Sequence, residues 1–147
     1  MSKLLRRAKA RFESAKMQYS RISEDDAYLD MCCFDLQQVI EFTLKFIVES
    51  NGSKYKVGHN LLLQLADIEQ LGIDIPDKSF YLSNASIFNT WETQTRYFDD
   101  FTAVISLVDE TVQKIPALFE FADSLVEEEQ MLRLEAKAKG GNLMSDE

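Results

Sequence analysis

The sequence predicts an all-α protein, an up-and-down helical bundle of about five helices, and two observations lead to that prediction. Apolar residues recur at spacings of three and four through most of the chain, which is the period of an amphipathic helix. The 147 residues include only five glycines and two prolines, too few for an architecture of strands and tight turns. We therefore expect residues 1–126 to form one bundle domain and residues 127–147 a charged, partly disordered C-terminal extension.

The second predicted helix, residues 25–50, should lie at the centre of the bundle. Its apolar side chains fill well over half of the helix circumference, so other helices must surround it. The remaining arc is polar and forms the candidate site. Its members are Asp30, Gln37, Gln38, Glu41, Lys45 and Glu49.

Caps and helix breakers predict the other boundaries. The expected first helix spans residues 3–20 with Ser2 as its N-cap, and Ser23 should cap the second. The third should begin at His59 or Asn60 and end at Gly72. The fourth should run irregularly from Ser79 to about Tyr97, and the last from Thr102 to Val126 across Pro116, with fraying beyond Glu127.

The charges are unevenly placed along the chain. The formal net charge is −9, yet residues 1–21 contain seven Lys or Arg and one Glu, so that this segment is +6 and the rest is −15. An acidic body argues against general nucleic-acid binding, and we do not expect RNA as a partner. The basic first helix is either a solvated face or a docking surface for phosphate or an acidic partner.

The two cysteines, Cys32 and Cys33, are neighbours within the apolar run of the second helix. Their side chains point about 100° apart on a helix, so we expect buried thiols without a disulfide or a thiolate metal site. This usage fits a reducing cytoplasm. Since no stretch approaches the ~20 apolar residues of a transmembrane helix, we expect no membrane partner.

Three segments together resemble the HEPN domain family, and specifically the small prokaryotic stand-alone type that is associated with nucleotidyltransferases. They are DLQQVIEFTLKFIVE at residues 35–49, GHNLLLQL at 58–65 and TRYFDDF at 95–101, in that order along residues 4–122. The resemblance implies a bundle of about five helices that dimerises and has a polar cleft for nucleotides. It implies no cofactor.

The resemblance also implies the site. Gln38, Glu41 and Lys45 match the family's polar stripe, and His59 matches the histidine that opens the third helix. Arg96, Tyr97 and Asp99 match the family's RYPD-like turn. Two positions depart from the pattern: Phe98 replaces a proline, and Asp35 stands where many members have histidine. Asp35 lies in the apolar arc and needs a partner there, for which we expect Arg96.

Metal-independent ribonucleases of the family use an arginine followed four to six residues later by a histidine, because the chemistry needs a group that titrates near neutrality. The only histidine here is His59, which no arginine precedes at that distance. We therefore predict no catalytic residues, no enzyme activity and, with a single histidine, no metal site.

Two hypotheses of function remain open. The first is a non-catalytic nucleotide-binding or regulatory protein that works as a homodimer or with a minimal nucleotidyltransferase. Its site would contain Asp35, Gln38, Glu41, Lys45, His59, Arg96 and Asp99. The second is a protein-interaction module of a toxin–antitoxin-type pair, with exposed aromatic residues Tyr81, Phe88, Trp91 and Phe98 as its interface. A purely structural alternative is that Glu41 and Lys45 form a solvent-exposed i,i+4 ion pair and that His59 only caps the third helix.

Overall fold

The computed structural model shows five helices in the part of the chain that it describes. The backbone is described for residues 2–91 and 101–145, and the side chains for residues 2–91 and 104–140. The helices are α1 (Lys3–Tyr19), α2 (Ala27–Ser50), α3 (Leu61–Gln70), α4 (Lys78–Thr90) and α5 (Phe101–Ser145). Within those ranges there is no strand, and the prediction of an all-α bundle is confirmed.

The α2 helix lies at the centre, as predicted. It packs against α1, α3, α4 and α5, and most of its residues are buried. The apolar arc of α2 supplies the middle of the core, where Leu36, Ile40, Leu44 and Ile47 are fully buried. A helix with apolar residues on more than half of its surface can be stable in water only in such a position.

The starts of three helices follow the local capping chemistry. Ser2 caps α1 by accepting a hydrogen bond from the Leu4 N–H at 3.2 Å, as predicted, and Asn60 caps α3 in the same way at 3.0 Å from the Leu62 N–H. The prediction that Ser23 caps α2 is wrong. The N-cap is Asp26, and the carboxylate of the preceding Asp25 accepts from the Ala27 N–H at 2.9 Å, so α2 begins three residues later than a cap at Ser23 would place it.

The α4 helix ends at Thr90, earlier than the expected boundary near residue 97, and residues 92–100 lie outside the described part of the chain. The expected exposed aromatic interface is wrong for Tyr81, Phe88 and Trp91, because all three side chains are buried in the core. The rings of Phe88 and Trp91 pack edge to face with centroids 4.9 Å apart. Spacings of seven and three place these rings on the face of α4 that covers the core. Phe98 is not among the described residues.

The α5 helix is 45 residues long and continues past Pro116 to Ser145, which differs from the expected fraying beyond Glu127. The side chains of residues 127–139 are exposed, so burial does not explain the continuation. Glu, Gln, Leu, Arg, Ala and Lys dominate this segment, and they are strong helix formers even without tertiary packing. The division of the chain at residues 126 and 127 stays a prediction.

None of the helices, as far as they are described, is long and apolar enough to cross a membrane.

Candidate functional site

The centre of the candidate site is the carboxylate of Glu41, whose residue is only 1% exposed. It contacts three polar groups. Gln37 Nε2 donates to Oε1 at 3.2 Å, His59 Nδ1 lies 2.8 Å from the same oxygen, and Lys45 Nζ donates to Oε2 at 3.3 Å. We call Gln37, Glu41, Lys45 and His59 the polar cluster. A buried carboxylate is stable only when it is compensated in this way.

The helical period of α2 brings three members of the polar cluster together. Gln37, Glu41 and Lys45 follow one another at intervals of four residues, so they lie on one face. His59 comes from the loop between α2 and α3, directly before the N-cap Asn60. That loop is fastened to the bundle, because Gln64 Nε2 donates to the carbonyl of Lys56 at 2.9 Å.

The start of α3 is also held in place. Asn89 of α4 accepts from the Leu61 N–H at 2.9 Å through Oδ1, and its Nδ2 donates to Oδ1 of Asn60 at 2.9 Å. The residue after His59 is therefore tied to α4, and the position of the imidazole relative to Glu41 depends on three elements of the fold.

The pair of Glu41 and Lys45 is a buried ion pair, and the alternative of a solvated i,i+4 pair is wrong. The side chain of Lys45 is only 9% exposed and that of Glu41 is 1% exposed. Lys45 Nζ also lies over the Tyr55 ring, 5.4 Å from its centroid. Burial makes such a pair costly unless hydrogen bonds complete it, and Gln37 and His59 supply them.

Gln38 contacts the polar cluster only through Gln37. It is buried, and its Nε2 donates to Oε1 of Gln37 at 2.9 Å rather than to the cluster's carboxylate. Tyr55 is the residue of this site that the sequence prediction missed, and Gln37 was placed in the polar arc but not among the residues predicted to bind a nucleotide. The spacing of four residues between Gln37 and Glu41 is the signal that could have identified Gln37.

The structure separates Asp35 from the polar cluster. Asp35 precedes Glu41 by six residues and so lies about 120° away around the helix. The observed partner of its carboxylate is Arg11 of α1, whose Nη1 donates to Oδ1 at 3.0 Å. The expected partner Arg96 lies outside the described residues, as do Tyr97 and Asp99.

The cysteines contribute no reactive group. Burial raises the pKa of the Cys32 thiol to about 12, and it also raises that of Cys33. Protonated thiols are neither nucleophiles nor metal ligands at neutral pH. Among the described residues, no group of three or more His, Cys, Asp or Glu side chains could hold a metal ion.

The polar cluster places the imidazole of His59 at the protein surface, next to the buried ion pair of Glu41 and Lys45. The side chain of His59 is 57% exposed, whereas that of its partner Glu41 is buried. Such an arrangement orients the imidazole for contact with a ligand.

Comparison with protein families gives one finding. A family model described as HEPN domain matches residues 1–133 of the chain. Comparisons with curated proteins and with solved structures gave no match.

Proposed function

This chain belongs to the HEPN domain family, and we propose that it is a cytoplasmic, non-catalytic nucleotide-binding protein with a regulatory role. The observation that carries the proposal is the 2.8 Å contact between the buried Glu41 carboxylate and the imidazole of the exposed His59. An oriented imidazole with a lysine beside it is suited to contact a phosphate group.

The charge of the surrounding loop supports a phosphate ligand. The loop between α2 and α3 contains Lys54 and Lys56, both exposed, in addition to His59. Lys56 pairs with Asp67 at 3.1 Å. The phosphate would therefore contact Lys54 together with the exposed imidazole of His59, which its contact with Glu41 orients. Tyr55 between the two lysines provides a half-buried ring against which a base could stack.

Calorimetry with ATP, GTP and their cyclic forms tests this proposal. We expect heat of binding with at least one nucleotide, and a weaker affinity in His59→Gln, which removes the charge that imidazole can carry. Lys9→Gln, which changes a cation of α1 away from the polar cluster, is the matched control and should bind normally. The proposal fails if none of the nucleotides binds or if the two variants bind equally well.

The proposal includes the absence of catalysis, which must be measured in its own right because ribonucleases occur in the family. We expect no cleavage when the protein is incubated with single-stranded RNA in the presence of a chelator. Cleavage that is lost in His59→Ala would show that the chain is a ribonuclease and would overturn this part of the proposal.

A second candidate function is partner binding, and the exposed end of α5 favours it. Three large apolar side chains there are highly exposed: Met131 (63%), Leu132 (58%) and Leu134 (68%). We propose that they contribute to a homodimer, to the surface that receives a nucleotidyltransferase, or to a toxin–antitoxin-type pair. Light scattering after gel filtration should give a dimer mass that Leu134→Glu lowers; a monomer mass at every concentration would exclude the homodimer.

A further inference from the structure

The last part of α5 for which side chains are described, residues 127–139, is a helix whose side chains are all exposed. We call this segment the α5 extension. At about 1.5 Å per residue it spans about 20 Å. The family model ends at residue 133, so the second half of the α5 extension lies beyond the matched domain.

Three large apolar side chains lie in the middle of the α5 extension. Met131, Leu132 and Leu134 are each more than half exposed. Met131 and Leu134 are three positions apart and are neighbours on the helix surface, and Ala138 continues the same stripe four positions later. An apolar stripe that stays exposed after the bundle has formed indicates a surface for another protein chain.

The charges of the α5 extension are ordered along the helix. Residues 127–129 are three glutamates, whereas residues 136–139 contain two lysines and no acid. Within the described part of the chain, Glu128 and Lys139 take part in no ion pair. The α5 extension therefore has an acidic end, an apolar middle and a basic end, and this order is complementary to its own reverse.

A two-fold axis across the apolar stripe would bring the complementary ends together. In an antiparallel pair of identical helices, the numbers of the residues that face each other have a constant sum. With the axis between residues 133 and 134, Glu128 lies opposite Lys139 of the second copy, and Met131 lies beside Leu134 of the second copy. Glu128 and Lys139 are only about 20° apart around the helix, so they share one flank, as the axis requires. A parallel pair would place acid against acid.

From this order we infer that the α5 extensions of two copies of this chain pair antiparallel. Met131 and Leu134 form the centre of the contact, and Glu128–Lys139 ion pairs close both ends. The inference rests on the second candidate function, partner binding through the end of α5, and it names a second copy as the partner. Because about 20 Å of helix buries less surface than a permanent interface does, the dimer dissociates on dilution.

The charge order favours a second copy over an unrelated partner. A nucleotidyltransferase could cover the apolar stripe without any relation between the charges at the two ends of the α5 extension. A two-fold partner presents its basic end to the acidic end and its acidic end to the basic one, so that both ends are satisfied at once.

Sedimentation velocity over a dilution series at low ionic strength tests the inference. We expect a monomer–dimer equilibrium that weakens as salt is added, because the end contacts are exposed ion pairs. Glu128→Lys and Lys139→Glu should each weaken dimerisation at least roughly tenfold, since each replaces two attractions by two repulsions. Both substitutions in one chain should restore the dimer, because the same pairs form with their signs exchanged.

The matched control is Lys137→Glu. It makes the same change of charge two positions before Lys139, but about 160° away around the helix and off the flank that holds Glu128. We therefore expect it to change the dissociation constant much less than Lys139→Glu does. All of these positions are exposed, so the variants should keep the fold, which circular dichroism checks.

A carbodiimide cross-link reports the register of the pair. The reagent joins a carboxylate to an amine as an amide with loss of water, so the two groups must be in contact. Within one helix Glu128 and Lys139 are about 16 Å apart along the axis, which is too far for such a bond. In a mixture of isotope-labelled and unlabelled protein, we expect peptides that join Glu128 of one copy to Lys139 of the other.

Several results would overturn the inference. They are a monomer at every concentration, failure of the combined variant to restore the dimer, an equal effect of Lys137→Glu and Lys139→Glu, and no cross-link between copies. If Leu134→Glu lowers the dimer mass and the charge variants do not, the second candidate function stands and the antiparallel pairing is wrong. Nucleotide binding tests neither, since the polar cluster lies on α2 and the loop that follows it.

Discussion

Replacement of Glu41 by alanine should strongly destabilise the protein. The substitution removes the acceptor of the Gln37 amide, the Lys45 ammonium and the His59 imidazole. It also leaves a lysine whose side chain is 9% exposed without the counter-ion beneath it. Breaking a buried pair by removal of one partner costs about 3–5 kcal/mol, a large share of the roughly 5–15 kcal/mol by which a domain is stable.

The assay is equilibrium unfolding in urea, with the melting temperature as a second readout. A loss of about 3–5 kcal/mol lowers the melting temperature of a chain of this length by roughly 6–20 °C. Glu49→Ala is the matched control, because it changes the same residue type on an exposed position of the same helix; we expect a change within about 0.5 kcal/mol.

A double variant separates the lost ion pair from lost packing. Glu41→Leu together with Lys45→Met removes both charges and should recover much of the stability, since apolar side chains of similar size can replace a buried pair. If Glu41→Ala is no more destabilising than Glu49→Ala, or if Lys45→Met alone costs nothing, the polar cluster is not the buried, compensated unit described above.

Three further predictions concern Pro116 of α5 and the buried cysteines of α2. Pro116→Ala should raise the free energy of unfolding by about 1–3 kcal/mol, because alanine restores a backbone N–H donor within α5 and proline is costly in a helix interior; an unchanged urea midpoint would show that the helix already accommodates the ring. The Cys32 and Cys33 thiols should react with a thiol reagent at pH 8 only as fast as the protein opens, and far faster in urea, since burial keeps them protonated. Rapid labelling of the native protein at pH 8 would contradict the burial of the two thiols. Because burial raises the pKa of Cys32 from 9.0 to about 12 in the folded state, the contribution of this thiol to stability is present below pH 9 and is lost as the pH rises toward 12. The urea midpoint should therefore fall over that interval.

The position of α2 shows what periodicity can predict. Apolar side chains on more than half of a helix require burial wherever that helix lies, so its central place followed from the residues alone. The cap at Ser2 is equally local, because it depends on a side chain and a backbone N–H two residues apart.

The C-terminal part of α5 and the aromatic residues of α4 show where the same reasoning went wrong. The end of α5 was placed at the loss of the apolar stripe, but helix propensity alone extends the helix beyond it. The aromatic residues of α4 were taken as exposed, although their spacing places them together on the buried face.

The sequence by itself determined the helical class, the central helix and the polar arc that contains Glu41, Lys45 and Gln37, because these depend on spacing within one element. Only the tertiary structure decided the partners that come from other elements. His59 reaches Glu41 across 18 positions of the chain, and Arg11 reaches Asp35 across 24. The physical reason is that a contact between side chains of different elements depends on how those elements pack together, and the pattern of either element alone does not contain that information.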